Sequence, residues 1–348
     1  MANSYFKGHG LGNEYIVLDP DELTFALTPA RIARICSRQK GIGSDGVLTP
    51  EDSDSADFGL RIWNPDGSEA ETSGNGLRIF SLYLHATGRT RKKSFTVETR
   101  GGTVRVETRH DHQVASVGAG SESAGSVGVE NRVEATGAED KNGPVNGATV
   151  HMGQATFSPE ALPCTFEAKE LVEQPINIAG EALIFTGVSV GNPHCVVFPF
   201  QDRRRGRENP NRQEVDQLHR QGDRICHRED LLRLGPALET HAIFPQRTNV
   251  QLAEPTGPHS IRILIWERGV GETPSSGSSA CAAASAAVRL GLVRSPVTVE
   301  SPGGELLVDV DEGFNLTLTG PVDEVARGTI SAPMLHSILD TEDQLQTT

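Results

Sequence analysis

Three stretches in the second half of this chain echo three in the first half, in the same order, which restricts the fold to two copies of one unit. GNEYIVLD from Gly12 matches GNPHCVVF from Gly191, with Asn13 on Asn192 at an offset of 192 − 13 = 179. LRIWNPDGSEAETSGNGLRIFSLYLHATG from Leu60 matches IRILIWERGVGETPSSGSSACAAASAAVRLG from Ile261, placing Ser73 on Ser276 at 276 − 73 = 203. FTVETRGGTVRVE from Phe95 matches VTVESPGGELLVD from Val297, with Gly101 on Gly303 at 303 − 101 = 202. The near-constant late offset argues for duplication rather than chance.

Within each unit a β-branched strand leads to a Gly/Ser-rich turn, an apolar helix, and two alternating strands joined at Gly-Gly. The spacing predicts helices over 77–87 and 279–290. The first carries Leu77, Phe80 and Leu84 at helical spacing, while the second is mostly alanine and admits close backbone neighbours. Both read as central helices inside a wrapping sheet. The expected division is a first domain over 1–118, a polar insertion over 119–147, a second domain over 148–320, and a segment over 321–334 returning to the first domain. An acidic tail over 335–348 is expected to fray. Residues 201–230 read as a polar surface excursion, with Arg203 to Arg205 a solvated loop.

A formal net charge of −14 repels phosphate backbones and anionic lipid, which argues against nucleic-acid and membrane partners. The start MANSYFKGHG lacks a cationic region followed by an apolar run, and the longest small-apolar stretch, Ala280 to Val288, is too short to span a bilayer. A cytoplasmic location is the expectation. Cys36, Cys164, Cys195, Cys226 and Cys281 are widely spread, without C-x-x-C pairs or zinc spacing, and read as free thiols.

Each unit places a serine in a Gly-rich turn where its helix begins, Ser73 in TSGNG and Ser276 in SSGSS. A serine there commonly caps a helix. Two at equivalent positions, however, bring two helix N-termini, each with unpaired N–H groups and a positive dipole end, towards one ligand from opposite sides. That arrangement suits removal of a proton from an α-carbon on one face and its return on the other. Flanking polar residues are Asn64, Asp66 and Asn75 in the first unit and Glu267, Arg268, Glu272 and Thr273 in the second. Arg268 ends an apolar strand, and its planar fork suits a carboxylate.

The blocks KGHGLGNEYIVLD, GIGSDG, NPDGSEAETSGNG, VGNPH, RTNV and ERGVGET-xxxG-x-x-A-x-A are similar, in order and spacing, to the signatures of the diaminopimelate epimerase family within the proline racemase superfamily. The resemblance covers nearly the whole chain apart from the two insertions and the tail. It implies an α/β (α+β) fold of two pseudo-symmetric domains, each a curved, mainly antiparallel sheet around a central helix, assembled as a homodimer. It implies an isomerase that needs neither pyridoxal phosphate nor a metal and acts on a small amino acid, LL-diaminopimelate giving the meso form in lysine biosynthesis. Carried over by position, substrate contacts fall on Asn13, Asn64, Asn192, Asn249, Glu267 and Arg268, and the backbone N–H groups of Gly74, Asn75, Gly277 and Ser278 receive the α-carboxylate. His194 and Glu267 take positions that assist the catalytic pair.

The departure lies in that pair, because the resemblance puts the family's catalytic cysteines at Ser73 and Ser276. A thiol has a pKa of about 8.5, whereas a serine hydroxyl needs an adjacent base at neutral pH. Cys195 and Cys281 read as packing residues, so neither substitutes. Several readings stay open: a variant inactivated to trap substrate, a paralogue using serine on this or another amino or hydroxy acid, and an amino-acid-binding protein without catalysis. The serine-rich context on both sides favours a paralogue.

Overall fold

The computed structural model describes residues 2–110, 144–178, 180–198 and 226–341. The first unit runs β1 (Ser4–Gly10), β2 (Asn13–Val17), α1 (Pro29–Cys36), β3 (Val47–Glu51), β4 (Phe58–Trp63), β5 (Glu69–Ala70), α2 (Gly74–Ala86), β6 (Ser94–Thr99), β7 (Gly102–His110) and β8 (Val145–Gln154). The second runs β9 (Gln174–Ile178), β10 (Glu181–Ser189), β11 (Pro193–Val197), α3 (Arg228–Glu239), β12 (Asn249–Gly257), β13 (Ser260–Glu267), β14 (Gly271–Thr273), α4 (Gly277–Arg289), β15 (Val297–Ser301), β16 (Gly304–Val310) and β17 (Asn315–Pro321). β18 (Asp323–Thr329) and α5 (Ala332–Leu339) follow.

The duplication extends to the strand ladder. β1 pairs with β2 as β10 pairs with β11, and the parallel pairs β2–β3 and β4–β6 recur as β11–β12 and β13–β15. The other neighbours run antiparallel, so each unit is a mainly antiparallel sheet, as expected. β18 pairs with β1 in the place that β9 takes beside β10. The units join where β8 pairs antiparallel with β17, Val150 opposite Leu318. Val150 pairs with Val106 on β7 and Leu318 with Val308 on β16, and 106 + 202 = 308, so this pair lies on the pseudo-twofold axis.

Each sheet curls round its central helix. Residues 74–84 of α2 are all buried, and Leu77, Ile79, Phe80 and Leu84 pack against Val17, Leu48, Ile62, Val97, Val106 and Val150. An apolar surface all round a helix demands such enclosure. α4 meets the same condition with Ala280, Ala282, Ala283, Ala284, Ala286 and Ala287, whose small side chains let the strands close in. Both helices begin before the apolar spacing does, because their first turns are the glycine- and serine-rich residues at 74–76 and 277–279.

Two further expectations change. Residues expected to fray after Met334 continue α5, which packs on α1 with Ile338 fully buried and Arg34 Nε donating to Ser337 Oγ at 2.9 Å. Hydrophobic contact holds this part of the segment through Leu339, while residues 342–348 of the expected tail lie outside the described residues. The excursion expected over 201–230 is helical from Arg228, where α3 buries Leu231, Leu234 and Leu238 against β12 and its neighbours. Arg203 to Arg205 and most of the 119–147 insertion lie outside the described residues, and Val145 to Gly147 already belong to β8.

Candidate active site

The central helices meet end to end at the cavity floor. A Cβ added to Gly277 would sit 3.3 Å from Gly74 Cα, and one added to either glycine would sit 2.8 Å from Leu318 Cδ2 on the pseudo-twofold axis. Only glycine lets two helix termini and the seam approach this closely. Ser73 and Ser276 precede these glycines as N-caps with nearly equal backbone angles, φ −147° and ψ 117° against φ −148° and ψ 127°. Ser73 Oγ accepts the Gly76 N–H at 3.0 Å, and Ser276 Oγ accepts the Ser279 N–H at a longer 3.5 Å. Helical bonding then starts from the N–H groups of Leu77 and Ala280. Among the described residues the N–H groups of Gly74, Asn75, Gly277 and Ser278 have no hydrogen-bond partner, and they lie at two positive dipole ends facing the same space.

That space is a cavity of about 630 Å³ between the units, lined by Asn13, Asn64, Ser73, Gly74, Asn75, Asn192, Asn249, Glu267, Arg268, Ser276, Gly277 and Ser278 among others. The structure thus gathers all but one of the residues expected at the site. Asp66 and Glu272 turn elsewhere, Asp66 to Ser68 and Glu272 to Arg228. Thr273 lines the wall beside Glu267 and favours the ionised form of its carboxyl.

His194 is the exception, fully buried behind the wall. Its Nδ1 accepts from the Gln251 amide at 3.0 Å, which leaves Nε2–H to donate to Asn192 Oδ1 at 2.8 Å. Burial depresses its pKa to about 3, so the ring is neutral and orients Asn192 without touching the cavity. Asn249 is also committed to the wall, taking the Arg268 N–H at 3.0 Å on Oδ1 and donating to the Pro193 carbonyl at 3.0 Å. Among the described residues, the Arg268 guanidinium reaches only the Gln246 carbonyl, at 3.2 Å.

The serines have unlike partners. Ser276 sits against the Glu267 carboxylate, whose pKa is raised by burial first and by the charge of Asp45 as well. Ser73 sits instead 3.2 Å from the Tyr15 hydroxyl. Within α2 the fully buried Arg78 donates to Asn75 Oδ1 at 2.5 Å, while its Nε and Nη1 find no partner among the described residues. Burial lowers its pKa to about 10, which still leaves it charged at neutral pH. With Asn75 Oδ1 taken, the amide nitrogen donates to Asn13 Oδ1 at 3.0 Å, and Asn13 in turn faces Asp45 Oδ2 at 3.3 Å. A buried cation beside two helix N-termini makes this floor strongly attractive to an anion. Among the described residues no three His, Cys, Asp or Glu side chains converge as a metal site requires.

A profile of the diaminopimelate epimerase family matches residues 5–124 and 186–325. The chain is 36% identical over 328 residues to diaminopimelate epimerase 2 of Nostoc sp., covering 94% of this chain and 95% of that protein. The chain belongs to the diaminopimelate epimerase family. Diaminopimelate epimerase of Pseudomonas aeruginosa is 33% identical over 333 residues, covering 95% and 99%. Among solved structures, a probable proline racemase from Agrobacterium radiobacter with bound carbonate superposes with a TM-score of 0.60 at 13% identity, covering 95% of this chain and 93% of that one. A hydroxyproline epimerase from Agrobacterium vitis superposes at 0.58 and 13% identity, covering 94% and 91%. These likenesses show the shared fold. This diaminopimelate epimerase family member is therefore an isomerase, and no helix among its described residues is long and apolar enough to cross a membrane.

None of Tyr15, Asp45, Arg78 and Gln251 is among the site residues expected from the sequence, although Tyr15 lies in KGHGLGNEYIVLD and Asp45 in GIGSDG. The repeat contains the signal for two of them: 15 + 179 = 194 places Tyr15 on His194, and 78 + 203 = 281 places Arg78 on Cys281.

Proposed function

We propose that the chain epimerises an α-amino acid by two-base α-proton exchange, with LL-diaminopimelate giving the meso form as the substrate pair. The observation that carries this is the meeting of two capped helix N-termini at Gly74 and Gly277, with a serine on either side and four N–H groups that have no partner among the described residues. An α-carboxylate held by those N–H groups places its α-carbon between Ser73 and Ser276. The same N–H groups stabilise the negative charge that spreads into the carboxylate when the α-proton leaves. Glu267 serves Ser276 as the neighbouring base that a serine hydroxyl needs. Arg268 and the asparagines Asn13, Asn64 and Asn192 hold the remainder of the substrate, while His194 and Asn249 position the wall. The names of the relatives support that substrate pair, and with it a role in lysine biosynthesis. The family resemblance also supports a cytoplasmic homodimer as part of this reading.

Proton NMR in deuterated water tests the reading. LL-diaminopimelate is expected to lose its α-hydrogen signal and give the meso isomer. Replacing both serines by cysteine is expected to accelerate this more than either single replacement, because thiols ionise more readily and paired groups act non-additively. A folded protein that binds the amino acid without exchanging its α-hydrogen, in both parent and double variant, would reduce the site to a binding pocket.

A further inference from the structure

We propose that Tyr15 is a positioning residue that makes Ser73 the proton-donating face of the cavity, so that the two serines are not interchangeable. The proposal rests on the epimerase reading and deepens it. A serine hydroxyl has one hydrogen and two lone pairs. Ser73 Oγ receives the Gly76 N–H at 3.0 Å and faces the Tyr15 hydroxyl at 3.2 Å. Tyr15 is largely buried at the cavity wall, and Ser73 is its one hydrogen-bond partner among the described residues; either hydroxyl can donate across this contact, and on the proposal Tyr15 is the donor. Burial lifts the phenol pKa to about 12, which keeps that hydrogen in place at neutral pH. Both Ser73 lone pairs are then occupied, and its own hydrogen points into the cavity.

Ser276 is arranged the opposite way. Ser276 has no phenol beside it: its hydroxyl neighbour among the described residues is Ser278 Oγ at 3.5 Å, its capping contact is also 3.5 Å, and the Glu267 carboxylate, which when ionised only accepts, lines the same cavity. On the proposal the Ser276 hydrogen goes to Glu267, which makes its oxygen the one poised to become a base. The second unit has no counterpart of the phenol, because His194 stands in Tyr15's place and bonds Asn192 and Gln251 instead. The fold also reserves the space for the Tyr15 ring. A Cβ on Gly46 would lie 2.6 Å from Tyr15 Cε1 and 2.4 Å from the Trp63 carbonyl oxygen.

In the forward step Ser276 Oγ takes the α-hydrogen while its own hydrogen passes to Glu267, and the electron pair of the broken Cα–H bond spreads into the substrate carboxylate. Ser73 then gives its hydrogen to the opposite face of Cα. The Tyr15 hydroxyl steadies the resulting alkoxide until the proton held by Glu267 returns to it through solvent. One proton leaves the substrate and one arrives, so the protein ends as it began.

The test offers LL- and meso-diaminopimelate separately in deuterated water to the parent, Tyr15→Phe, Ser73→Ala and the double variant, and reads exchange and inversion for each isomer. For the isomer that yields its hydrogen to Ser276, the ratio of inversion to exchange is expected to fall about a hundredfold in Tyr15→Phe, the scale of losing one donor to a developing oxyanion. Ser73→Ala is expected to show the same exchange without inversion, and adding Tyr15→Phe to it should change nothing further. Tyr15→Phe with the parental ratio, or a phenylalanine effect that multiplies the alanine effect, overturns the proposal. Ser73→Ala with the parental ratio does so on its own, even if Tyr15→Phe fails to fold. A parent that exchanges neither isomer removes the epimerase reading along with it, whereas an exchanging parent with an unchanged ratio removes only the role of Tyr15.

Discussion

Burial raises the Glu267 carboxyl and depresses the His194 imidazole, and each shift has a measurable sign. As a base Glu267 works only when ionised, so activity is lost as pH falls through a pKa above the 4.5 of an ordinary glutamate. The kcat/KM profile is expected to show an acid limb above that value. Glu267→Gln should abolish the limb and lower the rate about 10²- to 10⁴-fold. A limb at or below 4.5, or one that survives in Glu267→Gln, refutes the assignment. His194 bears on stability instead. The unfolded chain protonates this imidazole near 6.5 while the folded chain resists until about 3, so its contribution is complete above 6.5 and is lost as pH falls through that window. The loss from this one group approaches about 1.4 kcal/mol per pH unit. Urea unfolding between pH 4 and 7 should therefore show a shallower pH slope for His194→Gln than for the parent. Arg268 is exposed where it lines the cavity, so Arg268→Ala is expected to leave stability unchanged and weaken amino-acid binding by about 2 kcal/mol in calorimetry.

At the scale of elements, the junction of α2 and α4 concentrates the steric constraint. Gly74→Ala and Gly277→Ala each drive a methyl group to 2.8 Å from Leu318 Cδ2, so each is expected to cost about 1 to 3 kcal/mol by overpacking. Gly88→Ala is the control, because nothing lies within 4 Å of its added Cβ, although its φ of +73° adds a backbone strain of its own. Thermal unfolding should rank both junction variants below the parent, and an unchanged midpoint in either would mean that the helix ends have room to part. The same junction shows what the sequence makes legible. Strand alternation and two apolar helices recur at a fixed offset, so the duplicated sheet-and-helix architecture and the pairing of Ser73 with Ser276 can be read without coordinates. Helix starts cannot, because Gly74, Asn75 and Gly76 carry no apolar period although they form the first turn of α2. Nor does sequence spacing distinguish Asn192, which faces the cavity, from His194 two residues later, which faces away from it. Asp45 and Gln251 reach the site through parallel strand neighbours remote in sequence, a placement that only the sheet register supplies.

At the scale of the whole molecule, the antiparallel seam of β8 and β17 meets the geometric condition for an isologous contact, with Val150 opposite its own counterpart Leu318. Thr149 and Thr319 hydrogen-bond across the same seam at 2.8 Å. A shortened chain ending after β8 is expected to pair with a second copy through this edge, and sedimentation should find it dimeric. A monomer would show that the seam depends on side chains peculiar to β17. In such a dimer both faces of the cleft would be copies of one another, with Tyr15 beside each serine and Asn64 wherever Glu267 now stands. Joining the two copies in a single polypeptide lifts that obligation. Each half became free to change without changing its twin, and a cleft that a true dimer must keep even-handed could acquire one face that takes a proton and one that gives it.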